Sequence, residues 1–305
     1  MPPRQLGAKV RLPYKEPPRA FRGAMALAAR FLPSLAARIG VRLFSMPPHF
    51  SVNPRLAALL ADADRTQISV RGLPAVIHHI PGTGRRVLLL HGWGGHSVQM
   101  AGFIPALRAA KADIVAIDAP GHGRARGRMS TLFHFADAAA MAVKQFGPCD
   151  AAIAHSLGST ALCWAMGLGL QIPRVVLMAP MPAPIATLPR FCRFIGAPPG
   201  LSRRMVGLLE ARYRVRATDA SLYALLPGIE SQFLLVHDTD DTQVGLHEVM
   251  RLQEIASRRM QTYTTKGLGH ARILNDPAVI AAAVEFSIRG TFVAPPALLL
   301  AAATT

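Results

Sequence analysis

Three separated stretches carry residue types that together could form a nucleophile, its base and an orienting acid. "AHSLGST" (154–160) sets Ser156 between a short apolar run and a second one. The pattern suits a sharp turn from a strand into a helix. Such a turn needs small residues two before and two after the serine, because their backbones approach closely. Ala154 and Gly158 meet that need. A serine hydroxyl is a weak nucleophile without a base, and the base needs an acid to orient it. "TTKGLGHARIL" (264–274) offers His270 in a glycine-flanked loop, and "LLVHDTDDTQV" (234–244) ends an apolar run in acids. Asp241 and Asp240 both qualify by position, Asp238 less well. For Ser156 the alternative is an ordinary N-cap, and for the acids a solvated turn.

An anionic tetrahedral intermediate would need donors. "LLLHGWGGHS" (88–97) follows another apolar run, and its glycines allow a backbone N–H to approach a ligand. The natural donors are the N–H of Trp93 and that of Leu157, next to the serine. Metal-ligand spacing is absent: the eleven histidines are scattered, with no HExxH and no Cys/His cluster. We expect no metal and no cofactor.

These stretches need strands to carry them. Apolar runs of strand type fall at 67–70, 75–80, 86–91, 113–118, 151–156, 174–179, 233–238 and 261–265. Helical patterns follow 97, 131, 157, 246 and 276. The alternation predicts an α/β protein with a mostly parallel eight-stranded sheet and helices on both faces. The first two runs, joined by "RGLP", predict an antiparallel hairpin at one edge. Between Pro180 and Gln232 no strand pattern occurs, and "ATLPRFCRFIG" and "LSRRMVGLLEARYRV" read as helices. Ligands of open α/β sheets bind beyond the carboxyl ends of the strands, so this insertion predicts a small helical cap. Its Met181, Phe191 and Phe194, with Met205 and Leu208, are the expected apolar substrate contacts.

The chain resembles alpha/beta-hydrolase fold proteins. The matching motifs are "HGWGG" (91–95), "DAPGHG" (118–123), "AHSLG" (154–158), "HDTDD" (237–241) and "GLGH" (267–270), in family order over roughly residues 66 to 290. The resemblance implies a triad of Ser156, Asp241 and His270, with Trp93 and Leu157 as oxyanion donors. Family spacing selects Asp241 over Asp240. Three departures stand out: Ala154 where glycine is commoner, Arg124 and Ala125 after "PGHG", and Asp238 where glycine is usual. The activity implied is hydrolysis of a carboxylic ester or thioester. An acyltransferase or cofactor-free haloperoxidase would use the same triad, and a non-catalytic binding or membrane-associated protein is the reading from another class. Dehalogenation and epoxide opening are disfavoured, since those reactions resemble cases with Asp in place of Ser156.

Composition bounds the rest. Half of the 305 residues are apolar, enough for a large core. The net charge is +17, but only five of 34 basic residues are lysines and no basic run interleaves with aromatics. A nucleic-acid partner is therefore not expected. Three scattered cysteines read as reduced thiols, hence a cytoplasmic setting. No apolar run reaches 18 residues, so no membrane span is expected, nor does the N-terminus read as a signal peptide.

The expected organisation is a basic N-terminal extension (1–60), a hydrolase core (61–180 and 231–290), the cap (181–230) and a frayed tail (291–305). Within the extension, Phe21, Met25, Ala28, Leu32, Leu35, Ile39 and Leu43 form one helical stripe, with Arg22, Arg30 and Arg38 off it. Pro33 should split that helix. "SMPPHFSVNP" (45–54) reads as a linker. The helix is expected to dock on the hydrolase body. The alternatives are contact of residues 19–45 with an anionic membrane, or a cleaved transit segment. The sequence does not specify oligomeric state.

Overall fold

The computed structural model describes residues 16–48 and 52–292. Expectations for residues 1–15, for part of the 45–54 linker and for the tail from 293 lie outside the described residues. Eight strands form one sheet: β1 (Asp64–Val70), β2 (Leu73–Ile80), β3 (Arg86–Leu90), β4 (Asp113–Asp118), β5 (Ala151–His155), β6 (Arg174–Met178), β7 (Gln232–Asp238) and β8 (Met260–Thr265). Their order is β1-β2-β4-β3-β5-β6-β7-β8. Only β2 runs antiparallel to its neighbours, β1 and β4. The β1–β2 turn puts Arg71 at φ 49° and Gly72 at φ 79°. Two left-handed residues give a turn whose twist matches the flanking strands.

The inner strands are buried on both sides, and their residues alternate between two cores. Leu88, Leu90, Val115, Ile117, Ala152 and Ala154 face one cluster. Val87, Leu89, Ile114, Ala116, Ala151 and Ile153 face the other. A period of two with both phases apolar is why these strands read as continuous apolar runs.

The helices are α1 (Arg19–Phe31), α2 (Pro33–Phe44), α3 (Pro54–Ala58), α4 (Ile104–Ala109), α5 (Leu132–Phe146), α6 (Leu157–Gly167), α7 (Leu188–Phe194), α8 (Leu201–Tyr213), α9 (Leu222–Leu225), α10 (Leu246–Ile255), α11 (Gly269–Arg272) and α12 (Pro277–Arg289). Pro33 splits the N-terminal helix: Leu32 leaves helical geometry at φ −134°, ψ 58°, and Pro33 starts α2 at its first position. No helix among the described residues is long and apolar enough to cross a membrane.

The α1–α2 pair docks, but the surface it covers is the cap rather than the sheet's own helices. Met25, Ala36 and Ala37 share a third apolar cluster with Leu188, Phe191, Leu201 and Met205. Gly40 lets α2 press on α8, for a Cβ there would lie 2.9 Å from Met205 Sδ. The chain then continues onto the core, where Ser130 N–H donates to the Ser45 carbonyl.

Deleting residues 1–48 should therefore uncover the cap's apolar face. Each large side chain so exposed forgoes about 1.5–3 kcal/mol, and Leu188, Phe191 and Met205 are all buried in the intact chain. The expected result is a lower melting temperature or insolubility. A truncation that melts with the full chain would show that the two helices do not support the cap.

Candidate active site

Ser156 occupies the corner between β5 and α6, with φ 50° and ψ −120°. A non-glycine residue there is strained by about 1–3 kcal/mol and persists only where its surroundings impose it. Those surroundings are close-packed backbone. A Cβ on Gly158 would lie 2.3 Å from the His91 carbonyl oxygen. A Cβ on Gly92 would lie 2.9 Å from Ser156 Cβ. Ser156 N–H donates to the Met178 carbonyl, and the Ser156 carbonyl accepts from Ser159 and Met181 N–H.

His270 is the second residue of the short α11, directly after a turn in which Gly267 and Gly269 adopt φ 84° and 65°. Its Nδ1 lies 2.7 Å from Asp241 Oδ2, and its Nε2 lies 2.9 Å from Ser156 Oγ. A carboxylate only accepts, so Nδ1 carries the proton and Nε2 is left to accept from the serine hydroxyl. Asp241 is held in turn, since its Oδ1 accepts the N–H groups of Gln243 and Val244. Burial alone would raise its pKa; the His270 hydrogen bond and charge, with those two N–H groups, outweigh it and hold the carboxyl below its ordinary value.

Asp240 is exposed. Asp238 is buried and braces the turn: it accepts from Thr265 Oγ1 at 2.7 Å, Leu268 N–H at 2.9 Å and Asp240 N–H at 2.9 Å. It thus ties the end of β7 to the loop bearing His270, which explains an aspartate at this position.

The sequence reading missed a set of buried histidines that fix backbone. His155 Nε2–H donates to the carbonyl of His270 at 2.9 Å. Gly94 N–H donates to His122 Nε2, so His122 Nδ1–H faces the Pro120 carbonyl. Ala119 N–H donates to His91 Nε2, so His91 Nδ1–H faces the Gly92 carbonyl. Asp118 accepts from Ser97 N–H, Arg124 N–H and His78. "DAPGHG" is therefore a clamp on "HGWGG", and the Arg124 departure contributes its backbone N–H to it.

Above Ser156 lies a cavity of about 540 Å³. Ser156, His270, Trp93 and Leu157 line it, as do Met181 and Phe191 from the insertion after β6. Phe194 does not, contrary to expectation: at the last position of α7 it packs behind Phe191, with ring centroids 6.2 Å apart. Two lining residues, Phe44 and Ser45, come from the end of α2. Their signal was faint, because the apolar stripe predicts a buried face without naming what it meets, and the stripe is buried only in part: Leu32 and Leu35, at the break made by Pro33, stay exposed.

A family model described as "Alpha/beta hydrolase family" matches residues 87–283. The chain belongs to the alpha/beta hydrolase family. Solved structures agree on the fold. An esterase of Pyrococcus furiosus, Pf2001, aligns with a TM-score of 0.58 at 17% identity, covering 75% of this chain and 92% of that one. The esterase RhEst1 from Rhodococcus sp. ECU1013 gives 0.55 at 17%, covering 74% and 98%. A thioesterase domain from the curacin biosynthetic pathway gives 0.54 at 15%, covering 74% and 98%. No curated protein matches the chain by sequence.

Burial of three imidazoles makes the folded chain acid-sensitive. It lowers His91 and His134 to about 4, and His155 to about 3, from 6.5. Below pH 6.5 the unfolded chain binds protons that the folded chain refuses, so stability falls as the pH falls from about 6.5 toward 4. Thermal melts at pH 7.5, 6.0 and 5.0 should show a steady drop in melting temperature. A flat profile over that range would mean that these imidazoles are not buried as neutral groups.

Proposed function

We propose that the chain is a serine hydrolase that cleaves a carboxylic ester or thioester through an acyl-enzyme on Ser156. The observation that carries this is the single imidazole bridging Ser156 Oγ at 2.9 Å and Asp241 Oδ2 at 2.7 Å, at the floor of a largely apolar cavity. The esterase and thioesterase among the structural neighbours are in keeping with it.

In this reading Ser156 Oγ attacks the substrate carbonyl as His270 Nε2 takes its proton. Asp241 stabilises the imidazolium and holds its tautomer. The new oxyanion turns toward the N–H groups of Trp93 and Leu157, the latter at the positive end of α6. His270 then returns the proton to the leaving alcohol or thiol. Water, activated by the same imidazole, attacks the acyl-enzyme and frees the acid and Ser156. Met181 and Phe191 receive the apolar part of the substrate. The cap (181–230) and the N-terminal helices are the parts that close this space over the core.

A fluorophosphonate probe should label the purified protein, and Ser156→Ala should remove the label together with hydrolysis of p-nitrophenyl esters. Asp241→Asn should cost roughly four orders of magnitude in kcat, the size seen when such an acid is neutralised. Asp240→Asn should change kcat only a few-fold. Unchanged labelling in Ser156→Ala would remove the nucleophile, and equal mild losses in the two Asn variants would remove the acid.

A further inference from the structure

Arg190 is the one charged group of the cavity wall that the described residues leave unanswered. It projects from α7, on the cap side, and lines the same cavity as Ser156. Its Nε is buried and has no hydrogen-bond partner. None of the ion pairs among the described residues includes it. The cavity's other charged groups, leaving His270 aside, are engaged. Arg216 pairs with Asp219 at 2.9 Å and is largely exposed. Glu210 accepts the Ala217 N–H at 2.8 Å. Glu248 acts on Arg190 only at longer range, and its carboxylate caps α10 by accepting the Gly245 N–H. A guanidinium N–H withdrawn from water without an acceptor is costly, and a planar anion is the group that best answers it.

We propose that Arg190 forms an anion subsite, so that the substrate is an ester or thioester carrying a carboxylate or phosphate away from the scissile bond. This rests on the serine-hydrolase reading for its chemistry, not for its binding. An apolar stretch of substrate crosses the Met181 and Phe191 surface, and the anion meets Arg190. Arg190 is a specificity residue here and takes no part in bond breaking.

Matched substrates test it. One pair is the p-nitrophenyl monoester of glutaric acid against p-nitrophenyl 5-methylhexanoate, which differ in charge at nearly equal shape. The other is S-butyryl phosphopantetheine against S-butyryl pantetheine. The charged member of one pair should have the lower KM, and the pair that shows it tells carboxylate from phosphate. Arg190→Met should raise that KM ten-fold or more while leaving kcat and the neutral partner unchanged, and Arg190→Lys should recover part of the loss. Equal charged-to-neutral KM ratios in the wild type and Arg190→Met, for both pairs, would overturn the subsite while ester hydrolysis stands. If no ester is turned over, the hydrolase reading fails separately. The subsite is then read from the melting shift given by monomethyl glutarate: a shift lost in Arg190→Met supports it, and no shift overturns it.

Six large hydrophobic side chains are exposed among the described residues, and four of them crowd the α1–α2 elbow: Leu27 at 61%, Phe31 at 68%, Leu32 at 57% and Leu35 at 49%. Arg30, Arg38 and Arg42 are exposed on the same helices, and no acid occurs from residue 17 to 61. We infer that this elbow docks on a bilayer surface bearing anionic headgroups, with the apolar tip inserted and the arginines at headgroup level. A second copy of the chain is disfavoured, because it would bring two basic patches together. The full chain should co-sediment with vesicles of phosphatidylcholine and phosphatidylglycerol at low salt, far less at high salt, and little with phosphatidylcholine alone. Leu27→Ser combined with Phe31→Ser should cut binding ten-fold or more at an unchanged melting temperature. Equal binding to neutral and anionic vesicles, no binding at all, or a dimer that the same variant abolishes would each overturn it.

Discussion

The turn at Ser156 constrains everything around it. A serine at φ 50°, ψ −120° is stable only if the chain cannot relax. Gly158 on the corner and Gly92 opposite it let the chain leaving β3 close on the turn, nearer than any Cβ permits. The glycine loop after β3 therefore cannot move independently of Ser156. Its own position is fixed by His91, His122 and the Asp118 network. Strain at one residue is thus held by contacts from three strand ends, and Trp93 and Leu157 line the same cavity as Ser156.

The histidines around the site divide by environment. His91, His122 and His155 are buried, and each satisfies a backbone group with a ring nitrogen. Burial disfavours the charged ring at His91 and His155, so these act as fixed neutral props. His270 alone contacts both the serine hydroxyl and a carboxylate. One residue type thus meets backbone groups at three positions and a hydroxyl–carboxylate pair at a fourth. His155, adjacent to Ser156 in sequence, is bonded to the His270 backbone across 115 positions, so the strand that ends at Ser156 helps to set His270.

Much of this was legible in the sequence for a physical reason. Strands buried on both faces leave continuous apolar runs, and each of the eight runs became a strand. The residues that meet at Ser156 fall at strand ends, where turn chemistry restricts residue type, so Ala154, Gly158 and the glycines beside His270 pointed to them. What stayed illegible depends on partners distant in the chain. The stripe through Met25 and Ile39 announced a buried face but not that the cap would cover it. Phe194 and Phe191, three apart on one short helix, looked equivalent, yet only Phe191 reaches the cavity. Asp238 looked anomalous until Thr265 and Leu268 were seen to need an acceptor there.

The N-terminal helices and the cap form one packed layer over the sheet's carboxyl edge. Gly40 against Met205 joins α2 to α8, Phe44 meets Phe191 edge-on at 5.2 Å, and both phenylalanines line the cavity. A wall built from two parts of the chain responds to whatever engages either part. Close-packed side chains transmit displacement rather than absorb it. Phe44 from α2 and Phe191 from α7 make that joint wall, and Arg190 of α7 lines the same cavity. Because Phe44 and Ser45 close one side of the space that Ser156 opens into, the extension is part of the cavity's architecture rather than an appendage to it.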